Sequence, residues 1–471
     1  MTVPLEAILE AAANANTHRR IGTAVRAHGE TIVARGINFR PRELALIDDP
    51  GGRPIAAECS GSAHGEVFLS ALDRGTVSAG AHVYATGALP SAPAGRGVLG
   101  RIIDGLGRPL DGGQEVHGAR WVPVYAEPPE PLQRRSIASP LATGVRAIDG
   151  FLTAGRGQRV GIFAGSGVGK STLMGMLARG TDADVNVIAL VGERGREVRD
   201  FIERDLGVEA LRRSVIVAST GDNPASMRIC AANAATAIAE AFRDEGLDVL
   251  MLFDSLTRVA MAQREVGLAA GEPPATRGYP PTVFSMLPHL MERTGPGVRG
   301  SITAFYTILV EGDDMEDPVA SISRATLDGH IVLDRSLASS GHYPPIDILG
   351  SVSRLMTRVA SSRHQEAARA LRGLLAAHAD ARDLINIGAY VRGSDPRVDA
   401  AIDLLPAIEG FLQQQADDVS DFDDAIERMC QLAGIHEPAA TEVGGFAGPE
   451  ETIDEQPVNV VDGEFVEGEI A

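Results

Sequence analysis

The stretch Phe163-Ala-Gly-Ser-Gly-Val-Gly-Lys-Ser-Thr172 decides the architecture of this chain. It follows the phosphate-loop pattern G-x-x-x-x-G-K-[ST] with one departure, Ala164 in place of the first glycine. A relaxed motif is a weak signal alone, so its flanks matter. Upstream, Arg159-Val-Gly-Ile-Phe163 is a short β-branched and aromatic run; downstream, Ser171 to Arg179 reads as a helix closed by Gly180. Strand, loop and helix in that order let the backbone N–H groups of Gly165, Ser166, Gly167, Val168, Gly169 and Lys170 converge on an anion at a helix N-terminus. Lys170 would then reach the β and γ phosphates of a nucleotide, and the Ser171 hydroxyl, followed by Thr172, would ligate Mg2+. The chain has 43 Lys and Arg residues, and Lys170 is the one lysine among them. General nucleotide bias against lysine codons would explain the rest of the chain. It leaves the single compact ammonium where a forked guanidinium is the poorer fit.

A length of 471 residues is too great for one core and predicts about three domains. No run approaches the roughly 18 to 20 apolar residues of a membrane span, and Met1 to Asn16 lacks the basic start and apolar core of a secretory signal. The expected location is therefore cytoplasmic. Cys59, Cys230 and Cys430 lie far apart without metal-ligand spacing and read as reduced structural thiols. A net charge of -20 opposes a broad nucleic-acid footprint.

The chain divides by pattern. Residues 1–18 place Leu5, Ile8, Leu9 and Ala12 at helical spacing, a partner helix. Residues 19–86 break into short β-type runs with glycine punctuation, which predicts a β-barrel. A Pro- and Gly-rich stretch, 87–97, reads as a linker. Residues 98–352 alternate strands and helices, with strands at Asn186 to Val191, Ser214 to Ala218, Asp248 to Phe253 and Ser301 to Leu309, the pattern of an α/β core with a mostly parallel sheet. Residues 353–436 turn helical, with Ala367, Leu371 and Leu375 on one face. The segment 437–471 has many acidic and small residues and no Lys or Arg, and reads as a disordered tail.

Two carboxylates accompany the loop. Asp248-Val-Leu-Met-Leu-Phe-Asp254 runs an apolar strand into Asp254, which places that side chain beside a Mg2+ shell. Apolar strands ending in Asp are common in α/β proteins, so this reading depends on the loop. Glu193 lies just past the strand ending at Val191, on the edge where parallel sheets bind ligands. There it can orient and polarise a water for attack on a γ phosphate. The competing reading is a surface ion pair with Arg194 or Arg196.

Several long stretches together resemble the export ATPases of flagellar and type III secretion systems. They are Thr143-Gly-Val-Arg-Ala-Ile-Asp149, the loop itself, Gly192-Glu-Arg-Gly-Arg-Glu-Val198 and Asp254-Ser-Leu-Thr-Arg-Val-Ala-Met-Ala-Gln-Arg-Glu265. Gly271-Glu-Pro-Pro-Ala-Thr-Arg-Gly-Tyr-Pro280, Leu327-Asp-Gly-His-Ile-Val-Leu333 and Gly388-Ala-Tyr-Val-Arg-Gly-Ser-Asp-Pro396 extend the likeness over roughly residues 18 to 435. That family is related to the catalytic β subunit of rotary ATP synthases. The resemblance implies an α/β fold, a RecA-like P-loop ATPase core with an N-terminal β-barrel and a C-terminal helical domain. It implies ATP and Mg2+ as ligands, Glu193 as the catalytic carboxylate and Asp254 in the Mg2+ shell. It further implies Arg194 and Arg258 facing the γ phosphate, Tyr343 packing on adenine, and Arg354 reaching a neighbouring subunit's nucleotide. The competing reading of Arg354 is an ordinary surface or interface arginine.

The implied partners are a homohexamer, a stator-like regulatory protein at the N-terminal region, a central stalk protein, and an export gate with cargo and chaperone-cargo complexes. No nucleic acid is expected, and membrane association would be peripheral, at the cytoplasmic face of the inner membrane. Between the flagellar and injectisome systems the residues outside the core favour the flagellar one. A rotary synthase subunit, a RecA-like nucleic-acid motor and a non-catalytic nucleotide-binding scaffold are the alternatives. Gly388 to Pro396, where synthases carry an acidic helix-turn, opposes the first. Net charge opposes the second and Glu193 the third. One departure is Ser321 in Asp317-Pro-Val-Ala-Ser-Ile-Ser-Arg-Ala-Thr-Leu327, where the family carries a carboxylate; the segment before Ser301 is also poorer in glycine than usual.

Overall fold

The computed structural model describes residues 20–116, 118–310 and 316–436. The expected partner helix at 1–18 and the acidic tail at 437–471 lie outside them.

Six short strands, β1 (Arg20–His28), β2 (Thr31–Arg35), β3 (Leu44–Ile47), β4 (Ile55–Ala63), β5 (Glu66–Ala71) and β6 (His82–Ala85), close into a barrel in the order β1-β2-β5-β4-β3-β6. Alternating small and branched side chains make this possible: Ala24, Ile32, Ala34, Ala45, Ile47, Ala57, Leu69 and Val83 all point inward and are buried. Pairing of β1 with β6 removes the free edges.

The stretch 87–97 is not the linker its Pro and Gly content predicts. It carries β7 (Ser91–Ala94), which pairs antiparallel with β9 (Arg120–Pro123), and it buries Ala92 and Ala94. Small residues let this strand lie close beneath the helix Ala225–Asp244, so composition reflects tight packing here and not freedom.

The core is a nine-stranded sheet. Its main path runs β17 (Ile346–Ser353), β16 (Gly329–Leu333), β10 (Arg159–Ala164), β15 (Ser301–Leu309), β13 (Asp248–Asp254), β11 (Val185–Val191), β12 (Ser214–Ser219), β8 (Ile102–Ile103). From β16 to β8 the strands are parallel, and β17 is antiparallel to β16. A short β14 (Gly295–Pro296) pairs with β15.

Continuous apolar runs are what a sheet covered on both faces requires, and β11 and β12 are buried at every residue. The two faces alternate along each strand. Val249, Met251 and Phe253 join the core beneath the helices Ala225–Asp244, Leu256–Ala269 and Pro281–Glu292. Leu250 and Leu252 join a second core with the helix Lys170–Gly180 and the C-terminal helices Ser362–Asn386, Pro396–Leu412 and Phe422–Leu432. There Phe411 meets Phe151 edge-on at 6.2 Å, which joins the C-terminal helices to the sheet domain. All three cysteines are free and buried. Among the described residues no helix is long and apolar enough to cross a membrane.

Candidate active site

The site lies at the C-terminal edge of the parallel sheet, where β10, β13 and β11 end in turns. β10 gives way at Ala164 to the glycine-rich loop, which ends at Gly169, the N-cap of the helix Lys170–Gly180. Gly167 and Gly169 take φ values of 77° and 103°, left-handed conformations that a side chain would oppose. A side chain at either position would strain the loop through its backbone conformation.

Two strands away, β13 delivers Asp254, with Thr307 Oγ1 of β15 donating to Asp254 Oδ1 at 2.7 Å. The next strand, β11, delivers Glu193 just beyond Val191, through Gly192, whose N–H donates to the Ser219 carbonyl at 2.7 Å. Parallel register aligns these ends, since Leu190 stands beside Asp254.

The three elements meet at Lys170. Its Nζ donates to Asp254 Oδ1 at 2.5 Å and to Glu193 Oε1 at 3.4 Å. Burial works against the ammonium, but the Asp254 and Glu193 carboxylates outweigh it and hold its pKa above the ordinary lysine value. Glu193 is only 8% exposed, and burial lifts its carboxyl above the ordinary glutamate range against the pull of Lys170. Its hydrogen bond with Glu197 adds to the rise, while Arg258 opposes it. Glu197, on the receiving side of that bond, is held low. Ser171, Glu193, Glu197 and Asp254 line one small cavity with Leu190, Val198 and Phe201, and its polar side is made of hard oxygen donors, the kind that suits Mg2+.

Arg258 is half-buried beside Gly192, and its Nε is buried without a hydrogen-bond partner, an orphan donor of the kind an anionic ligand satisfies. Arg194 touches this cluster from outside, through Glu197, and does not reach Lys170 or Glu193. Its side chain is 83% exposed and pairs with Glu197 at 3.3 Å, because residue 194 is the N-cap of the helix Gly195–Asp200 and projects outward.

Beside the loop opens a cavity of about 540 Å3. Tyr343 forms its aromatic face, Thr172 and Met176 its floor, and Gln413 and Gln415 its far wall. Aromatic and amide walls next to a phosphate loop fit a nucleoside. Gln414 pins the far wall: its N–H donates to the Tyr343 carbonyl at 2.8 Å, and its side-chain Nε2 donates to the Gly144 carbonyl at 2.7 Å. Arg146 completes the attachment by donating to Asp418 Oδ2 at 2.9 Å and to the Phe411 carbonyl at 2.9 Å.

Arg354 lies elsewhere. Antiparallel pairing sets Ser353 beside Gly329 at the start of β16, whereas Ala164 stands beside Leu333 at its end. Arg354 is therefore at the N-terminal edge of the sheet, opposite the phosphate loop of its own chain. It is exposed and donates to the Arg324 carbonyl at 3.1 Å.

Residue patterns alone miss Arg335, which donates to the Ser166 carbonyl of the loop at 3.3 Å, and the Gln413–Gln415 wall. Arg146 sits inside the quoted Thr143–Asp149 stretch, so a signal was present; nothing in the glutamine run marks it as a site.

The chain matches the ATP synthase alpha/beta family nucleotide-binding domain over residues 144–353 and the T3SS EscN ATPase C-terminal domain over 360–431. It is 49% identical over 425 residues to the flagellum-specific ATP synthase of Bacillus subtilis, covering 90% of this chain and 97% of that one. The type 3 secretion system ATPase of Xanthomonas euvesicatoria is 47% identical over 416 residues, 88% of this chain and 94% of that protein. Among solved structures, the assembled ATPase EscN of the enteropathogenic E. coli type III secretion system is similar with a TM-score of 0.82 at 44% identity. That match covers 88% of this chain and 100% of that one. EscN in complex with its central stalk EscO gives a TM-score of 0.81 at 44% identity, with the same coverage of both chains.

Proposed function

This chain belongs to the ATPase family of flagellar and type III secretion systems, and from that premise we propose that it energises flagellar protein export by Mg2+-dependent ATP hydrolysis in a homohexameric ring. The observation that carries the chemistry is Lys170 bridging Glu193 and Asp254 at the sheet edge, next to a nucleoside-sized cavity.

The loop N–H groups and Lys170 hold the β and γ phosphates, and Tyr343 packs against adenine. Ser171 and Asp254 would hold Mg2+, which when bound neutralises charge between the phosphate oxygens. Glu193 orients the attacking water and accepts its proton, and its raised pKa brings it closer to the working range of a general base. Arg258 supplies positive charge beside it. Arg354, facing away from its own loop, acts on the nucleotide of a neighbouring subunit, where such an arginine is worth about 10^3 to 10^5 in rate. A role for Arg194 would require its exposed side chain to leave Glu197.

The flagellar assignment rests on the residues outside the core; a likeness to the Bacillus subtilis flagellar protein over 90% of this chain accompanies it, and the Xanthomonas euvesicatoria type 3 secretion ATPase is matched over 88%. A central stalk partner is supported by the EscN–EscO complex. We place a stator-like regulator at the N-terminal region, cargo and chaperone-cargo complexes at the ring, and the ring itself at the cytoplasmic face of the inner membrane.

Glu193→Gln tests the chemistry: ATP binding should persist while hydrolysis is lost, and retained turnover would remove Glu193 from its role. Deleting the gene tests the system. Loss of swimming with intact effector secretion supports the flagellar reading, and the reverse pattern overturns it.

A further inference from the structure

We infer that Gln158 is a positioning residue for Arg354, setting the arginine that one subunit presents to its neighbour's nucleotide. The inference rests on the reading of Arg354 just given.

Arg354 has little to hold it. It follows the last residue of the edge strand β17, its side chain is exposed, and its side-chain bond to the protein is the one to the Arg324 carbonyl. Its placement is therefore set by its backbone. The Arg354 N–H donates to the Asp328 carbonyl at 3.1 Å, and the preceding residue, Ser353, donates through Oγ to the Thr153 carbonyl at 2.9 Å.

Gln158 ties these two anchors together. It is 0% exposed, and its amide oxygen and both amide hydrogens have partners. Oε1 accepts from the Gly155 N–H at 2.8 Å, while Nε2 donates to the Asp328 carbonyl at 3.1 Å and to Ser353 Oγ at 3.2 Å. Both Nε2 hydrogens thus end on groups that fix Arg354. A carboxylate at this position could not donate either bond, and an apolar residue would leave the Gly155 N–H buried without this partner.

The residue after Gln158 is the first of β10, and β10 ends at the phosphate loop. Arg159 is clamped in turn, its backbone N–H and its Nε each donating to Asp328 Oδ2 at 3.1 Å. One strand therefore carries the loop that holds a subunit's own phosphates at its C-terminal end. At its N-terminal end it carries the brace for the arginine offered next door.

Mixed rings test this. Glu193→Gln subunits retain Arg354 and lack the base, while Arg354→Ala subunits are the opposite, so equal mixing should restore ATP hydrolysis at shared interfaces. Gln158→Leu added to the Glu193→Gln partner should lower the restored rate by about tenfold or more, since a small misplacement of a reacting group is costly. Added instead to the Arg354→Ala partner, it should change the restored rate by no more than about twofold, because that subunit offers no arginine to position. Ser353→Ala, which removes one anchor and leaves the buried amide, should show the same asymmetry with a smaller loss. Equal losses on both partners would make Gln158 merely structural and overturn the inference. No restored activity in the unmodified mixture would instead overturn the reading of Arg354 on which it rests.

Discussion

At the scale of single residues, the site is a charge arrangement in which Glu193 is held back from ionising by burial and by Glu197. Its carboxylate is the active form and is lost as pH falls through the raised pKa. The acid limb of kcat should therefore lie at higher pH than an ordinary glutamate would give. Glu197→Gln removes a neighbour that raises Glu193, so it should move that limb to lower pH; a limb that stays put or moves up would disconnect Glu193 from the pH profile. Lys170→Ala should abolish turnover by removing the one compact cation from the loop. Asp254 and Glu193 were legible in the sequence because each sits where an apolar strand stops and a turn begins, and Lys170 because it opens a helix behind a glycine-rich loop. Arg194 points outward for a physical reason that the motif does not carry: the motif fixes its order in the chain, but the start of the helix Gly195–Asp200 fixes its direction.

At the scale of elements, the phosphate-loop helix is held by close backbone approach. A Cβ on Gly175 would come within 2.5 Å of the Asp205 carbonyl oxygen, in the π-helical turn Phe201–Leu206. Gly175→Ala should cost about 1–3 kcal/mol by overpacking, despite alanine's better helix propensity, as read from a shift in chemical denaturation midpoint. A stabilised variant would show that the turn yields freely.

The helix Ala225–Asp244 is anchored by a buried ion pair. Arg293, 0% exposed, donates to both Glu240 oxygens at 3.0 and 2.6 Å, to Asn233 Oδ1 at 2.9 Å and to the Val124 carbonyl at 3.0 Å. Arg293→Ala should cost about 3–5 kcal/mol because Glu240 is left buried and unpaired, and Arg293→Met with Glu240→Leu should recover most of that loss. A double variant no more stable than the single one would contradict this account. Strand and helix periodicity made these elements readable. The stretch 87–97 was not, since Ala92 and Pro93 look like linker residues until the helix above them is in place.

At the scale of the whole molecule, the nucleoside cavity is built from parts far apart in sequence. Tyr343, Gly144 and the Gln413–Gln415 wall are joined by Gln414, which is 5% exposed. Gln414→Ala should loosen that wall and raise KM for ATP about tenfold with kcat changed by less than about threefold, the pattern of lost uniform binding. An equal fall in kcat would assign the wall to the reaction itself. Polar residues without periodicity carry no sequence signal for such a closure, and Tyr343 was reached through family resemblance alone.

The opposite placement of Lys170 and Arg354 makes one chain an incomplete enzyme in this account. The most direct measurement is Mg2+-dependent ATP hydrolysis across a range of protein concentrations, with Lys170→Ala as the blank. Specific activity should climb with concentration as interfaces complete each site. Full specific activity independent of concentration would contradict completion across an interface, and activity equal to the blank at every concentration would contradict hydrolysis by this site.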